Sequence, residues 1–152
     1  MKKTLILLSS TLVLFSVVAV NSTRMHHEEE QIKKVLVDGY VNGAFNALNP
    51  EAMKETFHED FAIFSPRGND IAKYPIDRWA EGVEKRKASA EFNPEDNKWD
   101  HKFKSIDVTG KSAAVKIELH HKGEHVYTDY LSLLKFDDGW RVVAKVYHEH
   151  EN

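Results

Sequence analysis

The chain has 152 residues, with 21 lysines and arginines against 24 aspartates and glutamates, nine histidines and no cysteine. One domain is expected at this length, and 41% apolar with 30% charged residues excludes a collagen-like or low-complexity chain. A formal charge of −3 offers no basic excess for phosphates, so no nucleic-acid partner is expected; without cysteine there are no disulfides, thiolate metal sites or thiol nucleophiles.

Residues 1–22 have the plan of a signal peptide. Lys2 and Lys3 form a positive start, Leu5 to Val20 form an apolar run, and Ala19 or Ser22 offers a small residue for cleavage. The run is about 16 residues, short of the roughly 20 that span a bilayer, so no membrane anchor is expected after cleavage. Two lysines leave with the leader, taking the formal charge from −3 to −5. The expected product is residues 23–152, an acidic domain exported to a bacterial periplasm or to the outside.

The mature chain opens with a helix over 28–48. Ile32, Leu36, Tyr40, Ala44 and Ala47 recur in steps of three or four, and Glu28, Glu29 and Glu30 occupy a solvated first turn. Asn49-Pro50 caps and starts a second helix that ends near Phe57-His58. Phe61–Phe64 reads as a short strand, closed by the turn-rich Ser65–Asn69. Pro75 opens a third helix with Ile76, Trp79, Ala80 and Val83 on one face, and residues 88–98 form a loop.

From Trp99 the period becomes two. Strands are expected at Trp99–Val108, Ala113–His121, His125–Phe136 and Trp140–His148, joined by three-residue hairpin turns at 109–111, 122–124 and 137–139. Helices followed by an antiparallel meander indicate an α+β fold with helices on one sheet face. Strict alternation places Tyr127, Asp129, Leu131, Leu133, Trp140, Val142, Ala144, Val146 and His148 on the inner face, together with Ala113, Val115, Ile117 and Leu119. Tyr130, Leu134, Val143 and Tyr147 then face outward among Arg141 and Lys145, an apolar surface that suits a homodimer.

Three segments carry a family resemblance: YVNGAFNALNPEAMKETFHEDFAIFS (40–65), SIDVTGKSAAVKIEL (105–119) and TDYLSLLKFDDGWRVVAKVYH (128–148). From about residue 28 to 148 the chain resembles the nuclear transport factor 2-like superfamily, and within it the Putative lumazine-binding family. The resemblance implies a cone-shaped, cystatin-like fold with three N-terminal helices packed on a bent antiparallel sheet. The superfamily includes ketosteroid isomerase, scytalone dehydratase, polyketide cyclases and non-catalytic association domains, so the fold alone fixes no activity. Tyr40 on the first helix and Asp129 on a pocket strand are similar to the isomerase plan, whose further catalytic acid has no counterpart here.

Alternation and a tight turn at 137–139 set Asp129 and His148 opposite each other on an otherwise apolar face. A carboxylate beside an imidazole can supply acid–base chemistry. Tyr40 and Tyr127 add hydrogen-bonding groups, and Trp79 adds an aromatic wall. The expected function is therefore binding of a small apolar or aromatic molecule between helices and sheet, with Tyr40, Trp79, Tyr127, Asp129 and His148 as ligand contacts. The alternatives are a cofactor-free lyase, isomerase or cyclase using Asp129 and His148, and a dimeric association module with a filled cone. His121, His125, His148 and His150 are expected to converge at one sheet end. Without a fixed ligand spacing they are read as a solvated end, and neither metal nor cofactor is assigned.

Overall fold

The computed structural model describes residues 24–151, and the leader expected over 1–22 lies outside the described residues. The first helix, α1, covers 24–46. Residues 24–35 are α-helical, and Leu36–Asn46 continue as a wider π-helix, with the Ala47 N–H donating to the Asn42 carbonyl at 2.8 Å. Ile32, Leu36, Tyr40 and Ala44 form its buried stripe as spaced, whereas Ala47 lies past the helix end and is exposed. The second helix, α2 (Pro50–Thr56), starts as its sequence dictates. The Asn49 side chain accepts from the Ala52 N–H at 3.3 Å, and Pro50 takes the first position, where no donor is missed. The two helices touch at Gly39, where an added Cβ would sit 1.8 Å from Thr56 Oγ1.

Strands β1 (Phe57–Arg67) and β2 (Asp70–Pro75) form a hairpin turned by Gly68, whose φ is +63°. Helix α3 (Ile76–Lys87) follows, then β3 (Trp99–Thr109), β4 (Ser112–His121), β5 (Glu124–Phe136) and β6 (Gly139–Glu149). The six strands lie in the order β2-β1-β6-β5-β4-β3. Two expectations are corrected here. The third helix packs against α2 but is separated from the first two in the chain by a hairpin, and the sheet is mixed, because β1 runs parallel to β6. The hairpin strand β2 went unforeseen because Ile71 and Tyr74 alternate with no buried face; it is an exposed edge strand.

Two bulges set which side chains face the helices. Between β4 and β5 the turn is Lys122-Gly123 alone, both with positive φ, so it holds two residues rather than the expected three. Leu119 nevertheless pairs with Tyr127 and Ile117 with Asp129, because Val126 is an extra residue that restores the common face. Between β5 and β6 Leu133 pairs with Val142 but Ser132 pairs with Ala144, leaving Val143 as the extra residue. Beyond it every side chain of β6 changes face. Lys145 turns inward and is 5% exposed, while Val146 turns outward and is 49% exposed. The expected inward placement of Ala144, Val146 and His148 therefore does not hold.

The core lies between the three helices and the inner sheet face, joining Leu36, Tyr40, Leu48 and Met53 to Phe57, Ile117, Leu131, Leu133 and Val142. Glu28 is more than a solvated first-turn residue. It accepts from Lys135 Nζ at 2.6 Å and from Trp140 Nε1 at 2.8 Å, fastening α1 to the β5–β6 hairpin. These bonds, led by that from Lys135, hold the Glu28 carboxyl below its usual pKa.

Candidate functional site: a buried lysine beneath an aromatic pocket

Three ionisable or phenolic groups from three elements meet inside the cone. Asp129 on β5 is 0% exposed, Tyr40 on the π-helical part of α1 is 0% exposed, and Lys145 follows the β6 bulge. Lys145 Nζ lies 3.1 Å from Asp129 Oδ1 and donates to the Tyr40 hydroxyl at 2.7 Å. The Tyr40 hydroxyl in turn donates to Asp129 Oδ2. The Lys145–Asp129 contact is an ion pair without hydrogen-bond geometry, so Asp129 Oδ1 accepts no hydrogen bond among the described residues. Burial pushes the Lys145 amine down from its ordinary value against the opposing pull of Asp129. Burial, reinforced by the Asp129 charge, pushes the Tyr40 hydroxyl well above 10.0.

The ammonium is also ringed by aromatic faces. Its Nζ stands 5.0 Å from the Tyr40 ring centre, 5.2 Å from Tyr147, 5.5 Å from Trp79 and 5.9 Å from Phe45. Such a cage favours a cation electrostatically where water is excluded. Above Lys145 a cavity of about 350 Å³ opens between Phe45, Ile63, Ser65, Tyr74, Trp79, Arg86, Tyr127 and Tyr147. No carboxylate lines it, and Arg86 adds a second cation at its rim. Clefts of about 390 and 620 Å³ occur elsewhere, but none of their lining residues is a buried ionisable group.

Local structure explains the placement of the rim. The widened turns of α1 leave the carbonyls of Ala44 and Phe45 to side chains, which are Arg86 and Asn97 respectively. Asn46 bonds both backbone groups of Trp99, through its Oδ1 at 2.7 Å and its Nδ2 at 3.2 Å. The loop after α3 and the start of β3 are thus tied to the π-helical segment, a form of helix that often marks functional sites.

The structure brings together four of the five expected contact residues. Trp79 and Tyr127 line the cavity, Asp129 lies beneath it, and Tyr40 lies beneath it as the partner of both Asp129 and Lys145. His148 is the exception. Residue Asp129 pairs with Tyr147, while His148 pairs with Thr128 on the outer face and is exposed. The expected Asp129–His148 pair therefore does not form. Lys145 and Tyr147 are site residues that strict alternation missed, because no residue type marks the Val143 bulge, and Arg86 reaches the rim from α3. The histidine end is also rearranged. His120 and His125 oppose each other, whereas His121 leaves the group and stacks on Trp99 at 4.6 Å.

Residues 27–148 match the family described as Putative lumazine-binding. Among solved structures, a nuclear transport factor 2-like protein of unknown function from Shewanella baltica is 26% identical, with a TM-score of 0.66 over 83% of this chain and 96% of that one. A second, from Methylobacillus flagellatus, is also 26% identical, with a TM-score of 0.63 over 82% and 94%. Aldolase FrzH from Cladobotryum sp is 28% identical over 98 residues, 64% of this chain and 73% of that protein.

Proposed function

Because the chain belongs to the Putative lumazine-binding family and has the nuclear transport factor 2-like fold, we propose that the pocket over Lys145 holds a small, flat molecule bearing carbonyl or enolate oxygens. The observation that carries this reading is the buried Lys145 amine at the floor of an aromatic cavity of about 350 Å³. Aromatic walls suit a ring, and Lys145 donates to an oxygen placed above it. Arg86 and Ser65 supply further donors at the rim. Lumazine itself, a flat ring with two carbonyls, is the first probe. Its titration should quench tryptophan fluorescence through Trp79, and Lys145→Met should weaken binding about tenfold or more, the effect of losing one charged hydrogen bond. Unchanged affinity in that variant would remove Lys145 from the site.

A second reading adds chemistry. A lysine amine whose pKa is lowered by burial is a nucleophile toward carbonyls, and one relative of the chain bears the name aldolase. In this reading Lys145 condenses with a substrate ketone or aldehyde, releasing water to give an imine, while Asp129 and Tyr40 manage the proton. This replaces the Asp129–His148 acid–base pair. Borohydride trapping with simple aldehydes should add the probe's mass less one oxygen atom to Lys145 alone, since water leaves on condensation and two hydrogens enter on reduction. Labelling spread over surface lysines would leave only the binding role.

The expected leader makes this an exported protein of the periplasm or exterior, and an intact mass lacking residues 1–22 would agree. The expected homodimer rests on the outer sheet face, where Tyr130, Leu134 and Val146 are 49%, 41% and 49% exposed. Tyr147 and Lys145 have left that face for the pocket.

A further inference from the structure

We propose that the outer face of the sheet, on the side away from the Lys145 pocket, carries a binding site for a divalent transition-metal ion of the zinc class, formed by Glu118, His120 and His125 with His150 as a fourth ligand. Glu118 and His120 alternate with the buried Ile117 and Leu119 on β4, so both side chains stand on the outer face. The short Lys122-Gly123 turn and the Val126 bulge bring His125 directly opposite His120. One ligand atom from each of Glu118, His120 and His125 lies within 4.8 Å of the others. Ligands of a tetrahedral zinc ion stand about 3.3 Å apart at metal–ligand distances near 2.0–2.1 Å, so modest side-chain rotation closes the set.

Two further observations point to a ligand. His120 Nε2 is shielded from solvent and has no hydrogen-bond partner among the described residues, since Glu118 Oε2 stands 3.6 Å away, beyond bonding reach. A buried imidazole nitrogen without a partner is costly, and outside the Lys145 site it is the one such side-chain atom among the described residues. The chain also returns to the site. The His150 N–H donates to the Val126 carbonyl at 2.8 Å, which sets the His150 ring 3.9 Å from that of His125. Thr128 Oγ1 lies 3.0 Å from His125 Nε2 and 2.9 Å from His150 Nε2, orienting both rings. Lys104 Nζ stands 3.5 Å from Glu118 Oε1 and leaves Oε2 facing His120. Imidazole with one carboxylate suits zinc, copper or nickel rather than magnesium or calcium.

The test is zinc chloride titrated into the purified, untagged protein, with cobalt(II) as the spectroscopic reporter. The site predicts one tight equivalent of zinc, a tetrahedral cobalt spectrum and a raised melting temperature that a chelator reverses. His120→Ala combined with His125→Ala should weaken binding by about a hundredfold or more, whereas His26→Ala with His27→Ala should leave it unchanged. If the first double variant does not fold, Glu118→Gln and His150→Ala singly should each weaken binding about tenfold. The absence of saturable binding overturns the proposal. So does binding that survives loss of His120 and His125, or that follows His26 and His27, since it then belongs to scattered surface histidines.

Discussion

Lys145→Met separates the two charges at the centre of the cone in a way that can be measured. Opposite unit charges 3.1 Å apart attract by roughly 5 kcal/mol at an effective dielectric constant of about 20. Both groups are shielded, Asp129 at 0% and Lys145 at 5% exposure, so solvent screening reduces this little. Removing only the lysine leaves a buried carboxylate whose remaining partner is the Tyr40 hydroxyl, and such losses cost about 3–5 kcal/mol. That is roughly a fifth or more of the stability of an ordinary domain. Asp129→Asn keeps an acceptor for Tyr40 but strips Lys145 of its counter-charge. The cost of burying the ammonium is then offset by no counter-charge, so the loss should be greater at about pH 6 than at about pH 9. The double variant removes both charges and should recover about 2–3 kcal/mol relative to the sum of the singles. Urea unfolding followed by circular dichroism supplies all four corners of the cycle. Losses that add to within about 0.5 kcal/mol would refute the coupling, and with it the view that Asp129 tunes the amine.

Tyr40 gives the pH dependence its upper limit. Its raised folded pKa contributes stability that is complete below pH 10.0 and lost above it, whereas the lowered Lys145 pKa adds stability as pH rises toward 10.5; Tyr40→Phe should abolish the alkaline loss in urea titrations across this range. Gly39→Ala places a methyl 1.8 Å from Thr56 Oγ1 and 2.5 Å from the Ala52 carbonyl, so it should lower stability by about 1–3 kcal/mol or prevent folding, as read by melting temperature. His148→Ala should leave ligand affinity in the Lys145 pocket unchanged, because that side chain lies on the other face of the sheet; a large loss in the same fluorescence titration would return His148 to the site. Tyr130→Glu with Val146→Glu should convert a dimer to a monomer by light scattering, and a wild-type protein that is monomeric at high concentration would dismiss the dimer.

What the sequence disclosed followed the range of the forces involved. The cap at Asn49-Pro50 is local chemistry and stands where the residues put it; the three hairpin turns from Trp99 onward also fall at their expected places in the chain, but each holds two residues rather than three. The inward faces of β4 and β5, including Asp129, follow from alternation, as does Tyr40 from its helical stripe. Lys145 and Tyr147 were illegible because one extra residue, Val143, reverses the phase of β6. A bulge is stabilised by its neighbours rather than by a distinctive residue type. The parallel pairing of β1 with β6 is likewise a non-local choice, made between segments about eighty residues apart in numbering. The two misplacements compound: the same reversal that hid Lys145 also made His148 look like the partner of Asp129.

The strand order has a consequence in time. Strand β1, which carries Phe57 and Phe61 into the core, lies between β2 and β6, and β6 is the last strand of the chain. Until residues 139–149 have been made, the β1–β2 hairpin has no neighbouring strand through which to join β3, β4 and β5, because β6 is its one link to them among the described residues. Docking of that hairpin onto the sheet therefore waits for β6, however early its own residues emerge. The six-stranded sheet is thus completed by one late, long-range pairing, the kind of contact that slows folding most.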